Sequence, residues 1–115
     1  MDTQHLPEAE WSRFLDDVSR EFEQGLVSVD ISGDGMTKAL VITELPLLGI
    51  QLNTKGSDAG SITIMAGSDV NTAISHTIPG ATQIHVAREA GGALAAIQID
   101  APDPAQTQIH FLSAT

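Results

Sequence analysis

PEAEWSRFLDDVSREFEQ, Pro7 to Gln24, is the stretch whose reading decides the fold. Trp11, Phe14, Leu15, Val18 and Phe22 recur at spacings of three and four, which sets them on one stripe of a 3.6-period helix. Glu8, Glu10, Arg13, Asp16, Asp17, Arg20, Glu21 and Glu23 fall on the other faces. The stripe carries the chain's single Trp and two of its three Phe. An isolated helix of this length is marginal in water, so the stripe must be buried, as core rather than as a cofactor box. Pro7 suits a first turn, where its missing N–H costs nothing. Gly25 is placed where a left-handed C-cap is expected. Everything beyond it reads as strand, so the expectation is a helix over about 7–24 acting as a lid on a β-rich part over about 26–112.

Outward from the helix, alternation marks the strands. Leu26 to Ser32 sets Val27, Val29 and Ile31 against Ser28, Asp30 and Ser32, and Met36 to Thr43 returns after Gly33-Asp34-Gly35. Asp30 and Asp34 beside glycine lack the remaining ligands of an EF-hand loop, so a plain turn is read there. Pro46 breaks or bulges the next stretch, Leu48 to Thr54 resumes it, and Ser61 to Ala66 follows the polar turn Lys55 to Gly60. Residues 67–81, GSDVNTAISHTIPGA, read as a long loop tacked to the core by Val70, Ile74 and Ile78, with a short helical turn in its middle. Three further strands are expected at Thr82 to Arg88, Ala93 to Ile99 and Thr107 to Leu112, with a frayed end over Ser113 to Thr115.

The fold class expected is α+β: an N-terminal amphipathic helix packed on six or seven antiparallel strands, a strongly bent sheet or small open barrel, an order that SH3-like and Sm-like barrels share. At 115 residues the chain is expected to be a single domain, 1–115. With 42% hydrophobic but only 3% aromatic residues, the core outside the helix is aliphatic.

Composition excludes several function classes. No cysteine means no disulfide framework, no thiolate metal site and no cysteine nucleophile. The formal net charge is −10, with Arg13, Arg20, Lys38, Lys55 and Arg88 the only Lys and Arg, which opposes nucleic-acid and anionic-membrane binding. No run approaches a membrane span and MDTQHLPE carries no secretion signal, so a cytoplasmic protein is expected.

Candidate chemistry centres on four histidines, His5, His76, His85 and His110. Thr82-Gln83-Ile84-His85-Val86 and Thr107-Gln108-Ile109-His110-Phe111 share the string TQIH before an apolar residue. Alternation turns Ile84, Val86, Ile109 and Phe111 inward and gathers Gln83, His85, Gln98, Gln108 and His110 on the outer face. In a meander, Ala93 to Ile99 lies between the two TQIH strands, and strand spacing separates the two histidine backbones by nearly ~10 Å. A metal shared by them would need a third ligand, so neither metal nor cofactor is expected. No G-x-S-x-G elbow or phosphate-binding glycine loop occurs.

Three segments carry a resemblance: Trp11-x-x-Phe14-Leu15-Asp16-Asp17-x-Ser19-Arg20, Glu44-Leu45-Pro46-Leu47-x-Gly49-Ile50, and His76-x-Ile78-Pro79. Together they make the chain similar to a family of small bacterial proteins known only as a domain of unknown function. The resemblance spans nearly the whole chain and implies a standalone single-domain bacterial protein with no assigned activity.

The function expected is a non-enzymatic binding or accessory module for a protein or small ligand. Its surface would combine the 67–81 loop with the 44–50 segment and the outer histidines: Pro46, Leu47, Ser75, His76, Pro79, His85 and His110. The alternative is an enzyme or metal-dependent protein using His76 or the His85/His110 face. A homodimer is expected through Thr107 to Leu112 as a free edge strand; pairing of that strand with Leu26 to Ser32 would instead close the sheet and leave a monomer.

Overall fold

The computed structural model describes residues 2–33, 36–54, 56, 60–69, 71–102 and 106–112. The expected turn residues Asp34, Gly35, Lys55, Ser57, Asp58, Ala59, Asp103 and Pro104, the anchor Val70 and the tail Ser113 to Thr115 lie outside them. Eight strands form one antiparallel sheet: β1 (Asp2–Leu6), β2 (Leu26–Gly33), β3 (Met36–Leu52), β4 (Ile62–Ala66), β5 (Ile74–Ile78), β6 (Gln83–Arg88), β7 (Leu94–Asp100) and β8 (Gln106–Phe111). Their lateral order is β1-β6-β7-β8-β2-β3-β4-β5, and the sheet is open, ending at β1 and β5.

The α+β expectation holds in outline and needs four corrections. A strand, β1, precedes the helix, so the helix is not the first element. It pairs with β6, a partner some eighty residues away that its own polar sequence, DTQHL, does not announce. The helix itself is shorter than 7–24: a 3-10 turn at Glu8–Glu10 leads into α1 (Trp11–Glu21). It stops early because Gln24 and Gly25 are drawn onto β3, the Gln24 N–H donating to Leu47 O and the Leu47 N–H to Gly25 O, both at 2.8 Å. Gln24, not Gly25, takes the left-handed conformation, at φ +70°. Third, the 67–81 stretch is a loop only in its first half, where Asp69 caps a turn by accepting the Asn71 and Thr72 N–H groups at 2.8 and 3.2 Å; β5 occupies its second half and pairs with β4.

Finally, β8 is not an edge. It lies between β7 and β2, matching Val27 to Phe111, Val29 to Ile109 and Ile31 to Thr107. The β8–β2 pairing does not remove the edges, because the sheet stays open between β5 and β1.

The bend is made by β3. Between Val27 and Val29 of β2 the register on β3 advances from Leu45 to Ile42, one residue more than on β2, and Ser28 Oγ accepts the Glu44 N–H at 3.1 Å. Glu44 sits at φ +48°. The register against β2 shifts again between Val29 and Asp30 and between Ile31 and Gly33, and Leu48 is an extra residue against β4. Such bulges bend a strand and increase its twist. Around Pro46, β3 leaves β2 and continues with β4, so the sheet folds into a six-stranded part and a three-stranded part that share β3.

Helix α1 covers the edge that β3 exposes beyond this bend. Ser19 Oγ accepts the Ile50 N–H at 2.8 Å and lies 3.0 Å from Ile50 O, replacing the missing neighbour strand. Trp11, Leu15 and Val18 then pack with Val27, Val29, Ile50, Ile64, Ile97 and Ile109 in one core. The Trp11 indole, 2% exposed, donates to Leu6 O at 3.0 Å and ties helix to β1.

Candidate functional site

Strand register places the polar residues of the six-stranded part in one transverse row. His5 on β1 opposes His85 on β6, His85 opposes Gln98 on β7, Gln98 opposes Gln108 on β8, and Gln108 opposes Asp30 on β2. Directly opposed residues of an antiparallel pair share a face, so these side chains line the face away from the core. The expected outer set Gln83, His85, Gln98, Gln108 and His110 therefore shares that face, and the two TQIH strands do flank β7. His110 sits one row over: it opposes Ala96, whereas His85 opposes Gln98.

From Gln108 to His85 the row is held by hydrogen bonds among its own side chains and to Gln83 and Asp100 beside it. Gln108 Nε2 donates to Gln98 Oε1 at 3.3 Å, and Gln98 Nε2 to Asp100 Oδ1 at 3.0 Å. His85 Nε2 lies 3.1 Å from Gln83 Oε1 and 3.4 Å from Asp100 Oδ2, and its ring stands 5.3 Å from that of His5.

At the other end, His110 Nε2 lies 2.9 Å from Asp30 Oδ2, and Lys38 Nζ lies 3.5 Å from the same oxygen. The Asp30 side chain is 4% exposed and that of His110 36%. His110 Nε2 thus meets a carboxylate at hydrogen-bond distance, and His85 Nε2 the Gln83 amide oxygen with the Asp100 carboxylate just beyond it; these partners orient the two rings. Asp30 and His5 were beyond sequence reading: Asp30 reaches His110 across eighty positions of chain, and His5 joins through a strand the sequence does not signal.

Between the two histidines the sheet surface drops. Ala87, Ala95 and Ala96 form a floor, with His85, Gln98, Gln108 and His110 at its rim, around a depression of about 310 Å³. Small side chains on a sheet face leave such a gap between longer neighbours. Depressions of about 340 and 460 Å³ also run along α1. Several of their polar groups are bonded within the chain: Ser19 to Ile50, Asp17 to Arg20 at 2.6 Å, and Arg88 to Gly92 O at 3.2 Å.

The remaining expected surface residues do not join this site. Leu47 is corrected outright: it is fully buried, paired with Ala66 on β4, and belongs to the core. Pro46 is half-buried opposite Leu26. Ser75 and Pro79 are exposed, on and just beyond β5. His76 is half-buried and opposes Ile64, whose side chain is core, so it faces inward. Burial lowers its pKa from the ordinary imidazole value, and its buried Nε2 has no hydrogen-bond partner among the described residues. Among the described residues no group of three or more His, Asp or Glu is placed to hold a metal ion, and no helix is long and apolar enough to cross a membrane.

Residues 2–115 match a family model described as Family of unknown function (DUF5335). No curated protein and no solved structure matches the chain.

Proposed function

The chain belongs to that family of unknown function, which brings no activity with it, and we propose that it is a non-enzymatic binding module whose ligand lies on the outer face of β6, β7, β8 and β2. The observation that supports this is the alanine-floored depression rimmed by His85, Gln98, Gln108 and His110. A flat apolar floor with a polar rim suits a small planar ligand that carries both donors and acceptors, such as a heteroaromatic amide. Its size is at the lower end for ligand sites, which run from about 300 to 1,000 Å³. The rim groups are already oriented by their own hydrogen bonds, so little side-chain entropy is lost when a ligand lands.

A second reading has one observation in its favour. Asp30 on His110 is the arrangement that orients a general base. Among the described residues no hydroxyl hydrogen-bonds that imidazole, so the binding reading is preferred.

Nicotinamide and benzamide titrated into isotope-labelled protein should shift the resonances of His85, Gln98 and His110 together. Ala96→Leu, which fills the floor, should weaken that binding tenfold or more while Gln51→Ala, exposed on β3, leaves it unchanged. Shifts scattered over the surface, or shifts insensitive to Ala96→Leu, would reject the site. Hydrolysis of an activated ester that disappears in His110→Ala and survives Ala96→Leu would favour the enzymatic reading.

A further inference from the structure

We propose that β5 is a self-pairing edge, through which two copies of this chain dock antiparallel about a two-fold axis at His76. This surface is separate from the ligand face and stands without it. β5 ends the sheet: β4 pairs with it on one side, and on the other no strand among the described residues pairs with its backbone N–H and C=O groups. A free edge of this kind templates pairing with another chain unless it is blunted by charge, proline or a bulge. β5 has none of these within Ile74–Ile78, its register with β4 is unbroken, and Ile74 is 44% exposed.

The partner is identified by the sequence of the edge itself. Ile74-Ser75-His76-Thr77-Ile78 reads nearly the same in both directions. An antiparallel two-fold pairing makes every residue face its mirror position. Ile74 then meets Ile78 of the second copy, Ser75 meets Thr77, and His76 meets His76. Aliphatic β-branched pairs and hydroxyl pairs are among the cross-strand combinations that stabilise sheets. The hydroxyl ladder already starts inside the chain, where Thr63 Oγ1 and Thr77 Oγ1 stand 3.2 Å apart, and a second copy extends it to Ser75.

His76 supplies the second, independent observation. Its buried Nε2 has no partner among the described residues, and a buried polar atom left so is costly. The two-fold sets another imidazole across from this ring; because Nε2 is closed off within one chain, the ring turns toward the edge on docking, one ring then donating and the other accepting. Pro79 and Gly80 follow the strand at once, Gly80 at φ +65°, and end the pairing after five residues. The opposite edge lacks this symmetry: self-pairing of β1 would set Asp2 against Leu6 and Thr3 against His5. An isologous contact closes on itself, so the product is a dimer and not a fibre.

The cysteine-free chain makes the register directly readable. Light scattering of the wild type at micromolar concentration should give twice the 12.1 kDa of one chain. Under copper–phenanthroline oxidation, His76→Cys should cross-link to itself. Ser75→Cys and Thr77→Cys should cross-link when mixed and far less when alone. The double variant Ser75→Lys/Thr77→Lys, on two exposed side chains, should be monomeric with an unchanged circular dichroism spectrum. Mixing it with Ser75→Glu/Thr77→Glu should restore the dimer. A wild type that stays monomeric, or a dimer that survives the lysine pair, overturns the proposal. Cross-linking of Ser75→Cys alone as efficient as the mixture refutes the register, and with it the axis at His76.

Discussion

His110 and His76 stand in the two parts of one bent sheet and meet opposite fates. In the six-stranded part, His110 lies against a buried carboxylate, and His85, Gln98 and Gln108 each have a hydrogen-bond partner on the same face. In the three-stranded part, His76 faces inward from an edge strand, with a buried nitrogen that has no partner among the described residues. The residue type is the same; the neighbours differ. A central strand has neighbours on both sides, though not every group on it is completed, since the buried Thr107 hydroxyl of β8 also has no hydrogen-bond partner among the described residues; an edge strand has only one side from which to be completed. A polar row that completes itself suits a preformed ligand face, and an edge that does not suits a second chain.

The contrast depends on the helix holding the two parts together, and breaking that should have the largest effect. Trp11→Ala removes a buried indole and its bond to Leu6, and should destabilise the protein by about 3–5 kcal/mol in a urea titration. A midpoint unchanged by this substitution would show that the helix does not join the parts.

Within the row, burial should grade the energies. Asp30→Ala strips His110 and Lys38 of a shared acceptor that is 4% exposed, and should cost about 1–3 kcal/mol. Asp100→Ala, at a side chain 24% exposed, should stay within roughly 0.5 kcal/mol of wild type. Equal losses at the two positions would mean that depth in the sheet does not set the value of these pairs.

The smallest effect is the pH dependence that His76 contributes. Burial depresses its folded pKa below that of the unfolded chain, so the unfolded state binds more protons between the two values. Stability from this group is therefore fully present above the unfolded value, about 6.5, and is lost as pH falls through the folded value. Urea midpoints of the wild type should fall on acidification from roughly pH 7.5 to 5.5. His76→Asn should fall less; an identical fall in both would remove the histidine from the account.

How much of this was legible can be judged from particular residues. Trp11, Leu15 and Val18 showed their burial through helical spacing, because a 3.6-residue period is a property of the segment alone. Alternation likewise put Gln83, His85, Gln98, Gln108 and His110 on one face, since a strand's period of two needs no partner to be read. β5 carried a fainter local signal, β-branched Ile74, Thr77 and Ile78 before Pro79-Gly80, within a stretch whose other residues favour turns. β1 carried almost none, with Leu6 its only apolar residue.

Periodicity, charge and the absence of cysteine are thus what the chain settled by itself: a helix stripe, an aliphatic β-rich remainder and an outer polar set. Tertiary structure decided which strands are neighbours, and every functional feature follows from that. β8 beside β2 brings Asp30 to His110, β1 beside β6 brings His5 to His85, and pairing with β4 alone leaves β5 at an edge. Faces are set by local backbone geometry, while neighbours are set by the burial of the whole core, which is a property of no single segment.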